Sequence, residues 1–476
     1  MPVNLELARR RFLYQSLTGL GSLALLEQLN RETAAAAALR LPMAPKAPHH
    51  SPKVKSCILL TMLGGVSQMD SFDPKPALQR LNNTIMPFSK DNVADQPGLY
   101  SKPRKILGSP WAFKKYGQCG RDVSDLFPHT ATVVDDLAFV RSIQAENGNH
   151  PAAVFSLNTG WTMPGRASMG SWITYGLGSE NQNLPGFVVL PDPDSLTFSG
   201  SQQWTNSFLP AAYQGTMMRW NGEPIFDLRQ PAGVTTEDRT RQMELLRSFN
   251  QDHLNGNFAN PDLQGRIDAY ELAYRMQSEV PSALDLTSES DATREMYGMN
   301  LSETESFGTR CLMARRLVER GVRFVQLYTK SQAWDSHGDI RTNHAKVAKE
   351  TDQPAAALIK DLKRRGLLDS TLVVWMGEFG RTPDAAQTDL SKAGRDHNIR
   401  AMTIWFAGGG IKAGVIAGET DDLGNKAVSG IYRMRDVHAT ILHLMGLNDL
   451  QLTYYHLGRN MRLTDTGGRK IESILS

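Results

Sequence analysis

The chain has 476 residues, with 52 Lys and Arg, 49 Asp and Glu and a formal net charge of +3, and 41% of its residues are hydrophobic. This composition excludes a disordered chain and a membrane-embedded one. The sequence contains no stripe of Lys and Arg interleaved with aromatic residues, so it gives no indication of a nucleic-acid partner. The length predicts one elaborated domain or a domain and a half. Three cysteines exclude a complete disulfide framework and have no metal-type spacing.

The N-terminus, residues 1–38, is predicted to be a targeting segment. Arg9–Arg11 precede a moderately apolar stretch, Leu17–Leu26, which is too short for a stable membrane span. This pattern resembles a twin-arginine (Tat) export signal and implies recognition by the Tat translocase and a periplasmic or extracellular location. A basic amphipathic helix at a cytoplasmic terminus is the alternative. Residues 39–53 are predicted to be a linker, and residues 54–476 the exported domain.

The first predicted strand, Val54–Met62, ends in the glycine turn Gly64–Gly65. Asp70 and Asp73 follow this turn. Asp73 precedes Pro74, so a turn or a helix cap explains it as well as a ligand role does. Asp70 has no such structural explanation. In open α/β sheets ligands bind outside the carboxyl ends of the strands, so this strand end is a candidate site.

A second strand end is predicted after Val133–Val140, where a loop leads to His150. The segment Pro151–Asn158 begins with proline, which suits the first turn of a helix. The N-terminus of this helix, with Asn147, Asn149 and His150 beside it, is a candidate binding position for an oxyanion. The alternative is that Asn149 merely caps the helix.

The middle of the chain predicts a helical insertion and then a helix followed by a strand. Residues from about 237 to 300 are polar and helix-prone, with apolar residues at helical spacing. Thr309–Arg320 is a predicted amphipathic crossover helix that leads into the strand Val322–Tyr328. Asp335 and His337 lie in the loop at the end of that strand.

The uncharged run Thr371–Met376 predicts a strand buried on both faces. Glu378 and Arg381 follow its end, among glycines, and His397 precedes a further apolar run, Thr403–Gly410. Alternation of strands and helices at this spacing predicts a parallel sheet with right-handed crossovers. Two successive strand ends therefore place a carboxylate, a guanidinium and an imidazole at one edge of the predicted sheet.

Carboxylates and imidazoles recur at these strand ends, where the candidates are Asp70, Asp73, His150, Asp335, His337, Asp339, Glu378, Asp396 and His397. Mixed oxygen and nitrogen ligands suit a divalent metal ion such as zinc, manganese, magnesium or calcium, and the absence of thiolates excludes a structural zinc knot. One such side chain is weak evidence, because surface His and Asp are usually solvated. Several converging from separate strands predict a metal-bearing cleft.

These strand ends also carry a family resemblance, through the motifs Gly64–Pro76, Trp334–Asp339, Gly377–Pro383, Gly394–His397 and Asp436–Gly446. They resemble the exported, sulfatase-like proteins of the domain-of-unknown-function family 1501, which is placed in the alkaline phosphatase superfamily. The resemblance implies an α/β fold, alkaline phosphatase/sulfatase-like, with a central mostly parallel sheet flanked by helices and with a helical insertion. It also implies metal-dependent hydrolysis of sulfate or phosphate esters.

The resemblance further implies roles for individual residues. Asp335 and His337 resemble the Asp/His ligand pair at one strand end, and His397 resembles the last histidine ligand. Together with the first strand end, the predicted metal ligands are Asp70, Asp335, His337, Glu378 and His397. The residues predicted to neutralise the ester oxygens and stabilise the leaving group are His150, Arg166 and Arg381.

The sequence departs from the resemblance at the nucleophile. Sulfatases carry Cys or Ser in a Cys/Ser-x-Pro-x-Arg motif about ten residues before a Thr-Gly pair, which Thr159–Gly160 resembles. Asn149 and His150 stand at that distance here, and Ser67 and Ser168 are the alternative hydroxyl groups. Attack by water, a histidine nucleophile and no turnover at all therefore remain open.

Two hypotheses from different classes follow. The first is an exported metal-dependent hydrolase of an anionic ester, with sulfated polysaccharide as a candidate substrate. The second is a catalytically inactive exported binding protein on the same fold. It predicts an open cleft lined by aromatic side chains such as Trp161, Trp204 and Trp220.

Overall fold

A computed structural model describes residues 43–86, 103–225, 228, 233–256, 261–385, 387 and 389–476. The predicted Tat segment lies outside these described residues. The chain divides into two compact units; one comprises residues 43–231 and 272–476, and the other includes residues 232–271. Within the described ranges, no helix is long and apolar enough to cross a membrane.

The strands are β1 Ser56–Thr61, β2 Lys105–Ile106, β3 Phe113–Tyr116, β4 Arg121–Ser124, β5 Leu137–Gln144, β6 Phe187–Leu190, β7 Thr216–Met217, β8 Phe324–Tyr328, β9 Thr371–Met376, β10 Gly380–Ala385, β11 Arg395–Asn398, β12 Met402–Gly408, β13 Ile416–Ala417, β14 Glu419–Thr420, β15 Ala427–Ser429, β16 Tyr432–Arg433, β17 Tyr454–His456 and β18 Arg459–Met461. The α-helices are α1 Gln68–Ser71, α2 Pro76–Arg80, α3 His150–Thr159, α4 Met169–Leu177, α5 Thr236–Gly256, α6 Pro261–Leu284, α7 Asp291–Met296, α8 Glu305–Glu319, α9 Ile340–Arg364 and α10 Met434–Leu444. Helices α5, α6 and α7 occupy the region predicted to be a helical insertion.

The central sheet of the described chain has nine strands in the order β13-β5-β12-β9-β1-β8-β6-β7, with β16 paired to β5. Strand β1 is parallel to β8 and β9, and β6 is parallel to β7 and β8. Strand β12 is antiparallel to both of its neighbours, β5 and β9. The described part of the connection between β9 and β12 has no α-helix to carry a crossover. The predicted mostly parallel sheet is confirmed.

Apolar side chains fill both faces of this sheet. Along β1, Ile58 and Leu60 belong to one core cluster, whereas Cys57 and Leu59 belong to the other, as the two-residue period of a strand requires. Helices α8 and α9 contribute to the first cluster, and α3, α4 and α10 to the second. Cys57 and Cys311 are buried free thiols and pack as small apolar residues.

The turn after β1 needs glycine for close packing. Gly64 and Gly65 have φ angles of 114° and 81°. A Cβ atom on Gly64 would lie 2.5 Å from the backbone nitrogen of Asp335 and 2.6 Å from that of Trp334. The turn can therefore pack against the loop after β8 only without a side chain.

Residues 43–53, the described part of the predicted linker, are held against the larger unit. The Nζ atom of Lys46 donates to the carbonyl of Tyr175 at 2.7 Å and lies 2.9 Å from the hydroxyl of Tyr213. It also lies about 5 Å above both tyrosine rings. The backbone N–H of Lys53 donates to the carbonyl of Leu444 at 2.8 Å. Side-chain and backbone contacts together fix this segment on the fold.

Candidate metal centre

Strands β5, β9, β1 and β8 run in the same direction, so their carboxyl ends meet at one edge of the sheet. The loop after β5 leads to His150, the first residue of α3. The loop after β8 carries Asp335 and His337, and Glu378 follows β9. A separate sheet, β11-β10-β2, adds His397. Residues distant in sequence are thereby brought to one cluster, as predicted.

The carboxylate of Asp335 lies between three imidazole rings. The Nε2 atoms of His337 and His397 lie 3.1 Å and 3.3 Å from its Oδ1, and 3.0 Å from each other. Nε2 of His150 lies 3.3 Å from Oδ2. Ligand atoms of His150, Asp335 and His397 all fall within 4.8 Å of one another. We call His150, Asp335, His337 and His397 the histidine cluster.

Each histidine of the cluster is oriented by an oxygen at its other ring nitrogen. Nδ1 of His150 lies 2.8 Å from Oε1 of Glu378, and Nδ1 of His337 lies 2.6 Å from Oδ1 of Asp396. Nδ1 of His397 lies 2.6 Å from the carbonyl oxygen of Gly148. Because these oxygens can only accept, each Nδ1 carries an N–H, so Nε2 either carries a second proton and donates to Asp335 or presents a lone pair to a cation. Metal-bound histidines are held in this way.

The histidine cluster fits a divalent ion. Zinc binds imidazole nitrogen at about 2.0–2.1 Å in tetrahedral geometry, which separates neighbouring ligand atoms by about 3.3 Å. Nε2 of His150 and Oε2 of Glu378 are buried and have no hydrogen-bond partner among the described residues. An unpartnered buried nitrogen beside a carboxylate indicates a position for a cation. The side chains of His150, Asp335 and His397 therefore form a group of two imidazole ligands and one carboxylate ligand, with the half-exposed His337 beside them.

The electrostatics of the cluster also favour a cation. Burial acts to raise the pKa of Asp335, but hydrogen bonds from the three histidines outweigh it and hold this pKa well below its usual range. Hydrogen bonds with Asp335 and Asp396 raise the pKa of His337 to about 9. Burial acts to lower the pKa of His150, but the neighbouring carboxylates of Asp335 and Glu378 raise it overall. The carboxylate thus attracts positive charge to the ring nitrogens that face it.

A protein-family model described as "Protein of unknown function (DUF1501)" matches residues 54–475. The chain belongs to this family. The predicted resemblance to the domain-of-unknown-function family 1501 is confirmed. No curated protein matches this DUF1501 protein significantly.

Solved structures similar to this DUF1501 protein include the lipoteichoic acid synthase LtaP from Listeria monocytogenes, at 8% identity and a TM-score of 0.40, covering 93% of this chain and 82% of that one. The PsFucS1 sulfatase from Pseudoalteromonas sp. matches at 11% identity and a TM-score of 0.35, covering 88% and 72%. The alkaline phosphatase from the Antarctic bacterium TAB5 matches at 10% and 0.33, covering 83% and 99%. Because these TM-scores are below 0.5, no activity is carried over from those proteins.

Arg381 positions Asp335 and does not face a substrate. Its side chain is fully buried, and Nη2 lies 2.6 Å from Oδ1 of Asp335. Nε donates to the carbonyl of Gly65 at 2.9 Å, Nη1 to that of Arg395 at 3.0 Å, and Nη2 to that of Gly64. With its donors used in this way, Arg381 fixes the loop after β1 and the carboxylate of the cluster. The predicted role in neutralising an ester oxygen is replaced by a positioning role.

Two predicted site residues make their contacts outside the histidine cluster. Asp70 is fully buried, and its Oδ2 lies 2.7 Å from Nε of Arg395. Nη1 of Arg166 lies 2.6 Å from Oδ2 of Asp465. Both predictions failed for the same reason: the partner is distant in sequence and is set by tertiary packing. We therefore remove Asp70 from the predicted ligands and Arg166 from the predicted catalytic residues.

The two alternative hydroxyl groups are also engaged elsewhere. Oγ of Ser67 donates to Oδ2 of Asp70 at 2.5 Å, and Oγ of Ser168 lies 3.0 Å from Oγ of Ser171. Both serines are buried, with exposures of 0% and 1%. Asn149 precedes α3 but makes no side-chain capping hydrogen bond. No serine or cysteine hydrogen-bonds to the histidine cluster in the described part of the chain.

Proposed function

We propose that this protein is an exported metal-dependent hydrolase of sulfate or phosphate esters. The observation that carries the proposal is the histidine cluster: three Nε2 atoms face the carboxylate of Asp335 while their Nδ1 atoms are held by oxygen acceptors. The ion would be held by His150, Asp335 and His397, with His337 beside them, which leaves a coordination position open. Its identity remains among zinc, calcium, manganese and magnesium, and the imidazole-rich ligand set favours zinc.

A divalent ion held by these residues would polarise an ester oxygen and lower the pKa of bound water. The chain itself contributes a binding position for the anion. Helix α3 begins at His150, so the positive end of its dipole lies beside the cluster and favours a negatively charged ester group. The side chain of His337 is 46% exposed, whereas that of His150 is 6% exposed. An ester therefore approaches from the side of His337.

The attacking group in this proposal is water. The Cys/Ser-x-Pro-x-Arg motif of sulfatases is absent from the sequence, and Ser67 and Ser168 donate or accept elsewhere. A histidine nucleophile is less suitable, because the Nδ1 atoms are held by acceptors and the Nε2 atoms face Asp335.

The alternative, an inactive binding protein, required an open aromatic cleft. Trp204 is only 3% exposed and lies in the core, and Trp220 packs against the core. Trp161, at 38% exposed, is the one of the three that remains available to a ligand. The hydrolase is therefore the better-supported function.

Export through Tat, with periplasmic or extracellular location, belongs to this proposal because of the Arg9–Arg11 pattern and the apolar stretch after it. Replacing Arg9 and Arg10 by lysine should leave the protein in the cytoplasm of a Tat-competent host. Export of this variant at the wild-type level would contradict the Tat route and leave the metal centre untested.

The first experiment on the centre is elemental analysis of the purified protein and of an Asp335→Ala/His397→Ala variant, with Glu303→Ala as a surface control. We expect stoichiometric metal in the wild type and control, and loss in the double variant. The metal-loaded protein should then hydrolyse p-nitrophenyl sulfate or p-nitrophenyl phosphate. A wild type that binds no divalent ion after reconstitution would refute the proposal. Metal without turnover of either ester class would support the binding-protein alternative.

A further inference from the structure

Arg166 belongs to a group of three guanidinium groups that share one carboxylate. Its Nη1 lies 2.6 Å from Oδ2 of Asp465, while Nη2 of Arg459 lies 3.5 Å from the same oxygen. Nε of Arg462 lies 3.9 Å from Oδ1 of Asp465. No other carboxylate pairs with these arginines among the residues that the structure describes. The group therefore carries an excess of two positive charges, which an anion would neutralise.

The arginine group borders a cavity of about 460 Å³. Phe208 and His456 line it and stack on each other, with ring centroids 5.2 Å apart and planes tilted by 24°. Met461 adds an apolar wall, and Ser207 and Arg459 add polar groups. The volume lies within the range of about 300–1,000 Å³ that is typical of small-molecule sites. We call it the hairpin pocket, because β17 and β18 form one side.

The turn between β17 and β18 has a leucine at a position whose backbone conformation is unfavourable for that residue. Leu457 has a φ of 47° and is 89% exposed. Glycine, asparagine and aspartate are the residues that tolerate this backbone conformation in a hairpin turn. Ser207, on the opposite wall of the pocket, has a φ of 49°. A strained, exposed leucine brings no packing energy, which indicates a contact outside the chain.

Further aromatic and apolar surface lies at the same arginines. The guanidinium of Arg166 stacks over the ring of Trp161 at 4.9 Å. Met163, in the same loop, is 63% exposed, and Gly165 from this loop lines the pocket. The site therefore combines ring faces, aliphatic side chains and unneutralised guanidinium groups.

We propose that the hairpin pocket binds an anionic carbohydrate unit, a sugar ring that carries a sulfate, phosphate or carboxylate group. The C–H face of the ring packs on the wall formed by Phe208, His456 and Leu457, since aromatic rings offer a broad apolar face. The acid group binds to Arg459, which lines the pocket, because guanidinium matches oxyanions through paired hydrogen bonds, and Arg462 adds positive charge beside it through the shared Asp465. The pocket shares no lining residue with the histidine cluster.

Titration by saturation-transfer NMR and calorimetry tests the assignment, with glucose 6-sulfate, glucose and inorganic sulfate as probes. The full-length Asp335→Ala/His397→Ala variant is used beside the wild type, so that binding at the metal centre is removed. Glucose 6-sulfate should bind both proteins, and more tightly than either glucose or sulfate. Binding that disappears in the double variant would assign the ligand to the metal centre and overturn the proposal, whatever the outcome for hydrolysis.

Single substitutions separate the contribution of the arginine charges to glucose 6-sulfate affinity from that of the aromatic ring contacts. Arg459→Gln and Arg462→Gln should each weaken glucose 6-sulfate at least fivefold, while Arg294→Gln, a control from an exposed pair with Asp291, should leave affinity unchanged. Phe208→Ala should weaken glucose 6-sulfate but not sulfate. Equal affinity for sulfate and glucose 6-sulfate, or binding to anionic phospholipid vesicles that competes with the sugar, would overturn the carbohydrate assignment.

Leu457→Asn distinguishes a role of Leu457 in ligand binding from a role in the stability of the fold. Asparagine tolerates the φ of this turn, so the variant should have a higher melting temperature than the wild type and yet weaker glucose 6-sulfate binding. A variant that is more stable and binds as tightly as the wild type would show that Leu457 has no part in binding. A variant that loses both stability and binding would equally contradict the assigned role.

Discussion

Oε1 of Glu378 accepts two hydrogen bonds, from Nδ1 of His150 at 2.8 Å and from the backbone N–H of Gly64 at 2.8 Å. A single carboxylate oxygen thus connects the turn after β1 to the first residue of α3. Its other oxygen, Oε2, is buried with no partner in the described part of the chain. The orientation of His150 therefore depends on a residue that does not itself face Asp335.

Replacing Glu378 by glutamine should weaken metal binding about 10–100-fold, the usual effect of losing such a supporting group. The neutral amide oxygen of Gln accepts from His150 and Gly64 more weakly than the carboxylate does, and an NH2 group takes the place of the buried Oε2, so the imidazole is held less firmly in its tautomer. Competition with a chelator of known affinity measures the effect, and Glu303→Gln is the surface control. Unchanged metal affinity in a folded variant would show that Glu378 does not orient His150.

Asp396→Asn alters the group that accepts at Nδ1 of His337. It should have a smaller effect than Glu378→Gln, below about tenfold in metal affinity. Nδ1 of His337 lies 2.6 Å from Asp396, but the side chain of His337 is 46% exposed. Water can therefore replace the lost acceptor, which it cannot do at the buried His150. The same chelator competition orders the two variants. A larger loss for Asp396→Asn than for Glu378→Gln would make His337 the dominant ligand.

Asp70 and Arg395 form an ion pair whose two side chains are fully buried. Asp70→Asn should lower the free energy of unfolding by about 3–5 kcal/mol, because the guanidinium of Arg395 is left buried without its counter-charge. Metal content at low temperature should stay at the wild-type level. Denaturant unfolding and elemental analysis measure the two effects, with the exposed Asp389→Asn as control. Loss of metal from a still-folded Asp70→Asn protein would return Asp70 to the ligand set.

His438 should make stability depend on pH. Burial lowers its pKa to about 4, although a hydrogen bond with the carbonyl of Leu157, 2.8 Å from Nε2, partly opposes this. The ring is neutral in the fold, whereas in the unfolded chain it binds a proton below a pH of about 6.5. The unfolded state then binds more protons, so stability is lost as the pH falls from about 6.5 towards 4, at up to about 1.4 kcal/mol per pH unit.

His438→Gln should remove this part of the slope. Urea unfolding between pH 4.5 and 7.5 compares the variant with the wild type, and the half-buried His456→Gln serves as control. The difference between His438→Gln and wild type isolates this residue, because His344, whose pKa burial lowers to about 3, contributes equally to both. Parallel stability curves for wild type and variant would refute the prediction.

The strands could be predicted from sequence because their apolar runs end abruptly. Thr371–Met376 is β9 at the predicted residues, and the polar residues after β8 and β9 do reach one edge of the sheet. The reversed direction of β12 could not be predicted, since an apolar run has no direction. It follows from a connection without a crossover helix.

The sequence pattern could not predict contacts between residues that are distant along the chain. Asp70 pairs with Arg395 and Arg166 with Asp465, and neither spacing has a signal. Arg104, whose Nη1 lies 2.5 Å from Oδ2 of Asp396, likewise has no signal in the sequence that points to this contact. Only the strand-end position of Asp396 could have drawn attention to this support of His337.

The contacts of residues 43–53 affect how this protein can be shortened. Lys46 and Lys53 are attached to Tyr175, Tyr213 and Leu444, which belong to the folded unit. A chain cut at Val54, where the family match begins, would lose the hydrogen bond of Lys46 to the hydroxyl of Tyr213 and that of Lys53 to the carbonyl of Leu444. We therefore expect a form that begins near Met43 to be more stable than one that begins at Val54.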